Sequence, residues 1–75
     1  MDIATYTRGY QYGMFHAGKV SASTRGRIEI QDFDEKAEIM AQNGEHGDYI
    51  DGFIDGCEQK LNDISNGVQV SLETQ

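Results

Sequence analysis

Apolar residues recur at steps of three and four over two long stretches of the chain, and at steps of two over two short ones. Ile50, Phe53, Ile54, Cys57, Leu61 and Ile64 make one helical stripe, which predicts a helix over 48–64 stopped by Asn66-Gly67. Ile3, Tyr6, Tyr10, Met14 and Ala17 make another, which predicts a helix over 2–18 with Asp2 as N-cap and Gly18 as stop. A weaker apolar side, Ala37, Met40 and Ala41, starts from a cap at Asp32 or Asp34 and ends at Asn43-Gly44; a bent, nearly continuous helix over 34–65 is the competing arrangement. The period drops to two at 27–31, where Ile28 and Ile30 point one way, and at 68–72, where Val68, Val70 and Leu72 alternate with polar residues. Each reads as a strand, the first with a weak partner at 19–23 or else as an irregular loop over the helices. The strands pair with each other or across a dimer interface, because an isolated two-stranded ribbon is marginal. The expected fold class is α+β: two or three helices with a short antiparallel β-ribbon, one domain over 1–75.

A repeat underlies the two long helices. Tyr6-x-x-Gly9-Tyr10-x-x-Gly13 returns as Tyr49-x-x-Gly52-Phe53-x-x-Gly56, 43 positions later. Each interior glycine costs a helix roughly 0.5–1 kcal/mol relative to alanine, so four of them need a compensating cause. Two glycines one turn apart make a flat strip flanked by aromatics, onto which a second backbone can move close. The helices are therefore expected to cross at Gly9, Gly13, Gly52 and Gly56, with Tyr6, Tyr10, Tyr49 and Phe53 beside the crossing, within one subunit or between two.

Composition narrows the function classes. A chain of 75 residues with one cysteine, Cys57, cannot form an internal disulfide. Its two histidines match no zinc-finger spacing, so a homodimer is the remaining route to added stability. The formal charge is −7, divided unevenly: residues 1–27 carry Arg8, Lys19, Arg25 and Arg27 against Asp2, and 28–75 carry Lys36 and Lys60 against twelve acids. Such a balance disfavours direct DNA binding and anionic membranes. No apolar run is long enough to cross a bilayer and the first residues lack a signal-peptide pattern, so a cytoplasmic location is expected.

Asp48, Asp51, Asp55 and Glu58 stand at steps of three, four and three on the second long helix. Successive carboxylates at that spacing lie about 5–6 Å apart, close to the spacing of roughly 6–7 Å between phosphates along one strand of duplex DNA. An acidic helix face can thus occupy a basic groove in place of a nucleic-acid strand, with Asp32, Asp34 and Glu35 extending it. The bland alternative is a solvated acidic face. A helical run lacks the loop that calcium requires, and no nucleophile elbow, phosphate loop or dinucleotide fingerprint is present. No enzyme activity, metal or cofactor is expected. His16 and His46 read as surface or capping residues, Cys57 as a buried small hydrophobe, and Tyr12 and Phe15, off the apolar stripe, as candidates for a second interface.

Arg8-Gly9-Tyr10-Gln11-x-Gly13, followed by Gly52-Phe53, resembles the ribosome modulation factor family. That resemblance implies a small helical protein that binds the ribosome and silences it. The family is strongly basic, whereas the bases here reduce to Arg8, Lys19, Arg25 and Arg27, and RNA contacts are not carried over. In size and charge the chain is also similar to small acidic bacteriophage proteins that inhibit a host enzyme or defence complex. The expected function is that of an acidic, protein-binding inhibitor or regulator that occupies a basic nucleic-acid-binding groove of a host protein. A ribosome-associated stasis factor and a structural or assembly dimer are the alternatives.

Overall fold

A computed structural model describes residues 1–24 and 28–65, and the described residues form an all-α arrangement. Helix α1 spans Ile3–Ser23, a 3-10 turn Ile30–Phe33, α2 Asp34–Gln42 and α3 Gly47–Ser65. No strand occurs among the described residues, which corrects the α+β class with its β-ribbon. The segment 19–23, read as a weak partner strand, is the last turn of α1. Val20 packs against the core there and carries the helix past Gly18, which therefore does not end it. Ile28 and Ile30 both pack against the core, but no described strand lies beside them. The Glu29 amide donates to the Asp32 carboxylate at 2.9 Å and the Asp32 amide to the Glu29 carbonyl at 2.9 Å, winding the segment into a turn that seats Phe33. The strand expected at 68–72, the stop at Asn66-Gly67 and the start of the first strand at Arg27 lie outside the described residues.

Local chemistry sets the helix ends. The Asp2 carboxylate accepts from the Thr5 amide at 3.3 Å and the Thr5 hydroxyl at 2.9 Å, satisfying a donor that the first turn leaves free. Asp34 and Glu35 place negative charge in the first turn of α2, where the helix dipole favours it. At its far end Gly44 takes φ +86°, and the Glu45 amide reaches back to the Met40 carbonyl at 2.9 Å. This glycine closure separates α2 from α3, so the two do not form one bent helix. His46 opens α3: its Nδ1 accepts from the Asp48 amide at 3.0 Å.

Helices α1 and α3 run parallel and meet at their glycines. A Cβ placed on Gly9 would collide with the Tyr49 carbonyl, and one on Gly13 with the Phe53 carbonyl. From the other side, a Cβ on Gly52 would collide with the Tyr6 carbonyl and one on Gly56 with the Tyr10 carbonyl. The contact is reciprocal: adding 43 to each α1 residue returns the α3 residue in the same role. One chain thereby builds an internal pseudo-twofold about an axis along the helices. Both N-termini lie at one end, where the Asp2 amide donates to the Asp48 carboxylate at 2.7 Å. Parallel macrodipoles repel, and the carboxylates of Asp2 and Asp48 at the positive ends offset part of that cost.

Close approach selects which side of α1 is buried. Thr5, Gly9, Gly13 and Ala17 face α3, whereas Ile3, first residue of the apolar stripe, is 71 % exposed and Tyr10 and Met14 are only half-buried. The buried face is thus turned around the helix from the stripe that hydropathy marks. Phe33, Phe53, Cys57 and Ala17 form the buried centre, with Ile28, Ala37, Met40, Ile54 and Leu61 around it.

Candidate functional site

Two flanks border the glycine crossing, and the repeat makes them equivalent positions with different residues. On the first, Tyr12 and His16 of α1 face Tyr49 and Phe53 of α3: the Tyr12 ring lies 6.2 Å from Tyr49 and 5.6 Å from Phe53 between centroids, and His16 lies 5.9 Å from Tyr12 and 5.8 Å from Phe53. The 3-10 turn and α2 roof this flank. Phe33 meets the His16 ring edge-on at 5.6 Å, and the Lys36 ammonium sits 5.7 Å above the Tyr12 ring. Burial first, then the charges of Lys36 and Lys19, pull the His16 pKa below 6.5. His16 is thus a core-edge residue, against the surface or capping role expected of it, and Tyr12 belongs to the core. Tyr49 is pushed up from its ordinary value, chiefly by burial and then by Glu45.

On the second flank the repeat puts Tyr6 and Tyr10 of α1 and Asp55 and Gln59 of α3 in the equivalent positions. The Tyr6 hydroxyl donates to the Asp55 carboxylate, and the Tyr6 and Tyr10 rings lie 6.2 Å apart. The hydrogen bond to Asp55, followed by desolvation and the charges of Asp55, Tyr10 and Asp51, raises the Tyr6 pKa to about 12. No described element covers this flank: its tyrosines are half-buried, and Asp51 and Asp55 are exposed.

The α3 acids have different surroundings. Asp48, half-buried, is taken by the Asp2 amide and lies 3.9 Å from His46 Nδ1; Asp55 is held by Tyr6. Asp51 and Glu58 are exposed, and neither has an ion-pair partner among the described residues. Glu58 lines a crevice of about 170 Å³ together with Ile28, Glu29, Ile30 and Leu61. Asp32, Asp34 and Glu35 stand on the roofing segment; Asp32 is spent on the Glu29 amide, and Asp34 and Glu35 are exposed in the first turn of α2. No described contact joins Asp34 or Glu35 to the α3 row.

Glycines from both halves of the ribosome-modulation-factor-like pattern lie in the helix crossing, and Arg8 donates to the Thr5 hydroxyl at 3.3 Å. Phe15 is 63 % exposed beneath the Lys19 ammonium, 5.3 Å from its ring. The Cys57 thiol donates to the Gly13 carbonyl at 3.5 Å, and burial pushes its pKa up to about 11, which removes thiolate chemistry at neutral pH. Among the described residues no cluster of histidine, cysteine and carboxylates is arranged to hold a metal, and no helix is long and apolar enough to cross a membrane.

The open flank is the feature that hydropathy misses. Its signal lies in the repeat: where the first copy has Tyr12 the second has Asp55, so one flank is aromatic on both sides and the other is aromatic on one side and acidic on the other. Comparison with family models, with curated proteins and with solved structures returned no match.

Proposed function

We propose that the chain is a non-enzymatic acidic protein that regulates or inhibits a protein partner by laying the outer face of α3 on its basic surface, of the kind that otherwise holds nucleic acid. The observation that carries this reading is the state of Asp51 and Glu58. Both are exposed, both lack a described ion-pair partner, and both sit on a helix whose Gly52 and Gly56 are locked under a second backbone. Preorganised charge loses little entropy on binding, and surface ion pairs within the chain would have neutralised it. Asp55, steered by Tyr6, completes the row on the α1 side, and Asp48 carries it to the helix start. The formal charge of −7 makes association with a cationic surface fast and salt-sensitive. The similarity in size and charge to small phage inhibitors supports a host nucleic-acid-binding protein as the target class, met in a cytoplasm.

The test compares the chain with its Asp51→Asn, Asp55→Asn, Glu58→Gln variant. Each is immobilised and exposed to a lysate, and retained proteins are eluted by salt and identified. The reading predicts that basic nucleic-acid-binding proteins stay on the parent and are displaced by added duplex DNA. The variant should lose them while keeping its helical circular dichroism. Retention of the same proteins by both would refute it.

A further inference from the structure

The roofed flank shows what kind of segment seats beside this glycine crossing. There the chain supplies its own cover: an aromatic residue, Phe33, at the ring edge of His16, and three residues later a cation, Lys36, over the ring of Tyr12. The open flank keeps half of that receptor. Tyr6 and Tyr10 repeat Tyr49 and Phe53, and Asp55 stands where Tyr12 stands. Asp51 stands one turn before Asp55 on α3, and both are exposed. The described cations of the two helices lie elsewhere: Arg8 is bonded to Thr5, Lys19 lies over Phe15, and Lys60 lies against Gly18 beyond the crossing. Two aromatic faces edged by two carboxylates, with no described base among them, suit a planar cation that stacks and forms paired hydrogen bonds.

We propose that the Tyr6–Tyr10 flank is an arginine-recognition surface, which an arginine-bearing helix or extended segment of the protein partner roofs from outside as α2 roofs the other flank from within. Arginine is favoured over lysine because its flat guanidinium stacks on tyrosine while offering a fork to Asp51 or Asp55; lysine brings a point charge. A second copy of the chain is a poor occupant, since a twofold contact through this flank would set Asp51 and Asp55 against their own copies. The inference rests on the proposed basic partner and specifies how it is read.

Two helical peptides of equal length and charge serve as probes, one carrying arginine at every fourth position and the other lysine, titrated into the isotope-labelled chain and followed by amide shifts. The arginine peptide should bind at least about threefold more tightly, with shifts concentrated at Tyr6, Tyr10, Asp51 and Asp55. Tyr10→Leu should equalise the two peptides, and Tyr10→Phe, which keeps the ring, should restore the preference. Should Tyr10→Leu fail to fold, Asp55→Asn on the exposed face replaces it and should weaken both peptides, the arginine one more. Equal affinities with acid-dependent binding would overturn the arginine assignment and leave the basic-partner reading standing. Binding by neither peptide would overturn both. Shifts centred on Asp34 and Glu35, or concentration-dependent self-association through Tyr6 and Tyr10 that excludes the peptide, would likewise overturn the assignment.

Discussion

The two flanks of the glycine crossing come from one repeated octet, yet one is a core and the other a surface. On the roofed side Phe53 is 0 % exposed and Phe33 2 % exposed, with Tyr12, His16 and Tyr49 packed around them. On the other side Tyr10, the repeat partner of Phe53, is half-buried, and Tyr6 turns its hydroxyl to a carboxylate. The backbone contact is the same on both. What differs is a single connection: the segment from Ile28 to Gln42 must return the chain to the end where α1 began, because the helices are parallel, and it can cover only one side. Among the described residues a parallel pair made from a tandem repeat therefore has one flank uncovered, and substitution of Tyr12 by Asp55 in the second copy makes that flank acidic and water-compatible.

Substitutions separate the crossing, the roof and the open side, and the effects should fall in that order. Gly13→Val sets a branched Cβ against the Phe53 carbonyl and the Cys57 amide. Neither backbone group can yield, so the cooperative thermal transition should disappear from circular dichroism. Phe33→Ala empties the roof and should cost about 3–4 kcal/mol in denaturant unfolding. Tyr10→Leu on the open side should cost less than about 1.5 kcal/mol, because the ring is only partly covered. An equal loss at Tyr10 and Phe33 would erase the distinction between flanks. Gly47→Ala, which meets nothing within 4 Å, should stabilise by roughly 0.5 kcal/mol through helix propensity alone, opposite in sign to the crossing glycines.

The smallest effects are in pH dependence, again one per flank. His16 is held below 6.5 in the folded chain, so the unfolded chain binds the extra proton first. Its contribution is complete above 6.5 and is lost as pH falls through the lower folded value; His16→Gln should flatten the midpoint over that window. Tyr6 titrates near 12 against an ordinary 10.0, so its contribution is complete below 10.0 and is lost as pH rises toward about 12. Tyr6→Phe should remove the last tyrosinate step in the ultraviolet titration and that alkaline loss of stability. An unchanged last step would detach Tyr6 from Asp55.

Much of the helical layout can be read from residue spacing: the Asp2 cap, the α3 stripe with Cys57 buried in it and the stop at Asn43-Gly44. Two things could not be. The repeat marks the crossing at Gly9, Gly13, Gly52 and Gly56, but hydropathy scores glycine near zero and marks Ile3, Tyr6, Tyr10, Met14 and Ala17 as the core face of α1, of which close approach buries only Ala17, beside Thr5, Gly9 and Gly13. Likewise Ile28 and Ile30 alternate as a strand would, but two residues cannot distinguish a strand from a turn anchored at Phe33, and no partner strand lies beside them among the described residues. Of the candidate site, the acids are plain in the sequence. Which of them are occupied depends on contacts from α1: the Asp2 amide on Asp48 and Tyr6 on Asp55 lie 46 and 49 residues away in the chain.

The parallel glycine crossing within one chain is the claim on which both flanks depend. A nuclear Overhauser spectrum of a mixture of isotope-labelled and unlabelled chains tests it directly. The account predicts contacts from the Gly9 α-protons to Tyr49 and from the Gly52 α-protons to Tyr6, all within the labelled chain. Contacts pairing the start of α1 with the end of α3, or glycine contacts seen only between labelled and unlabelled chains, would contradict it.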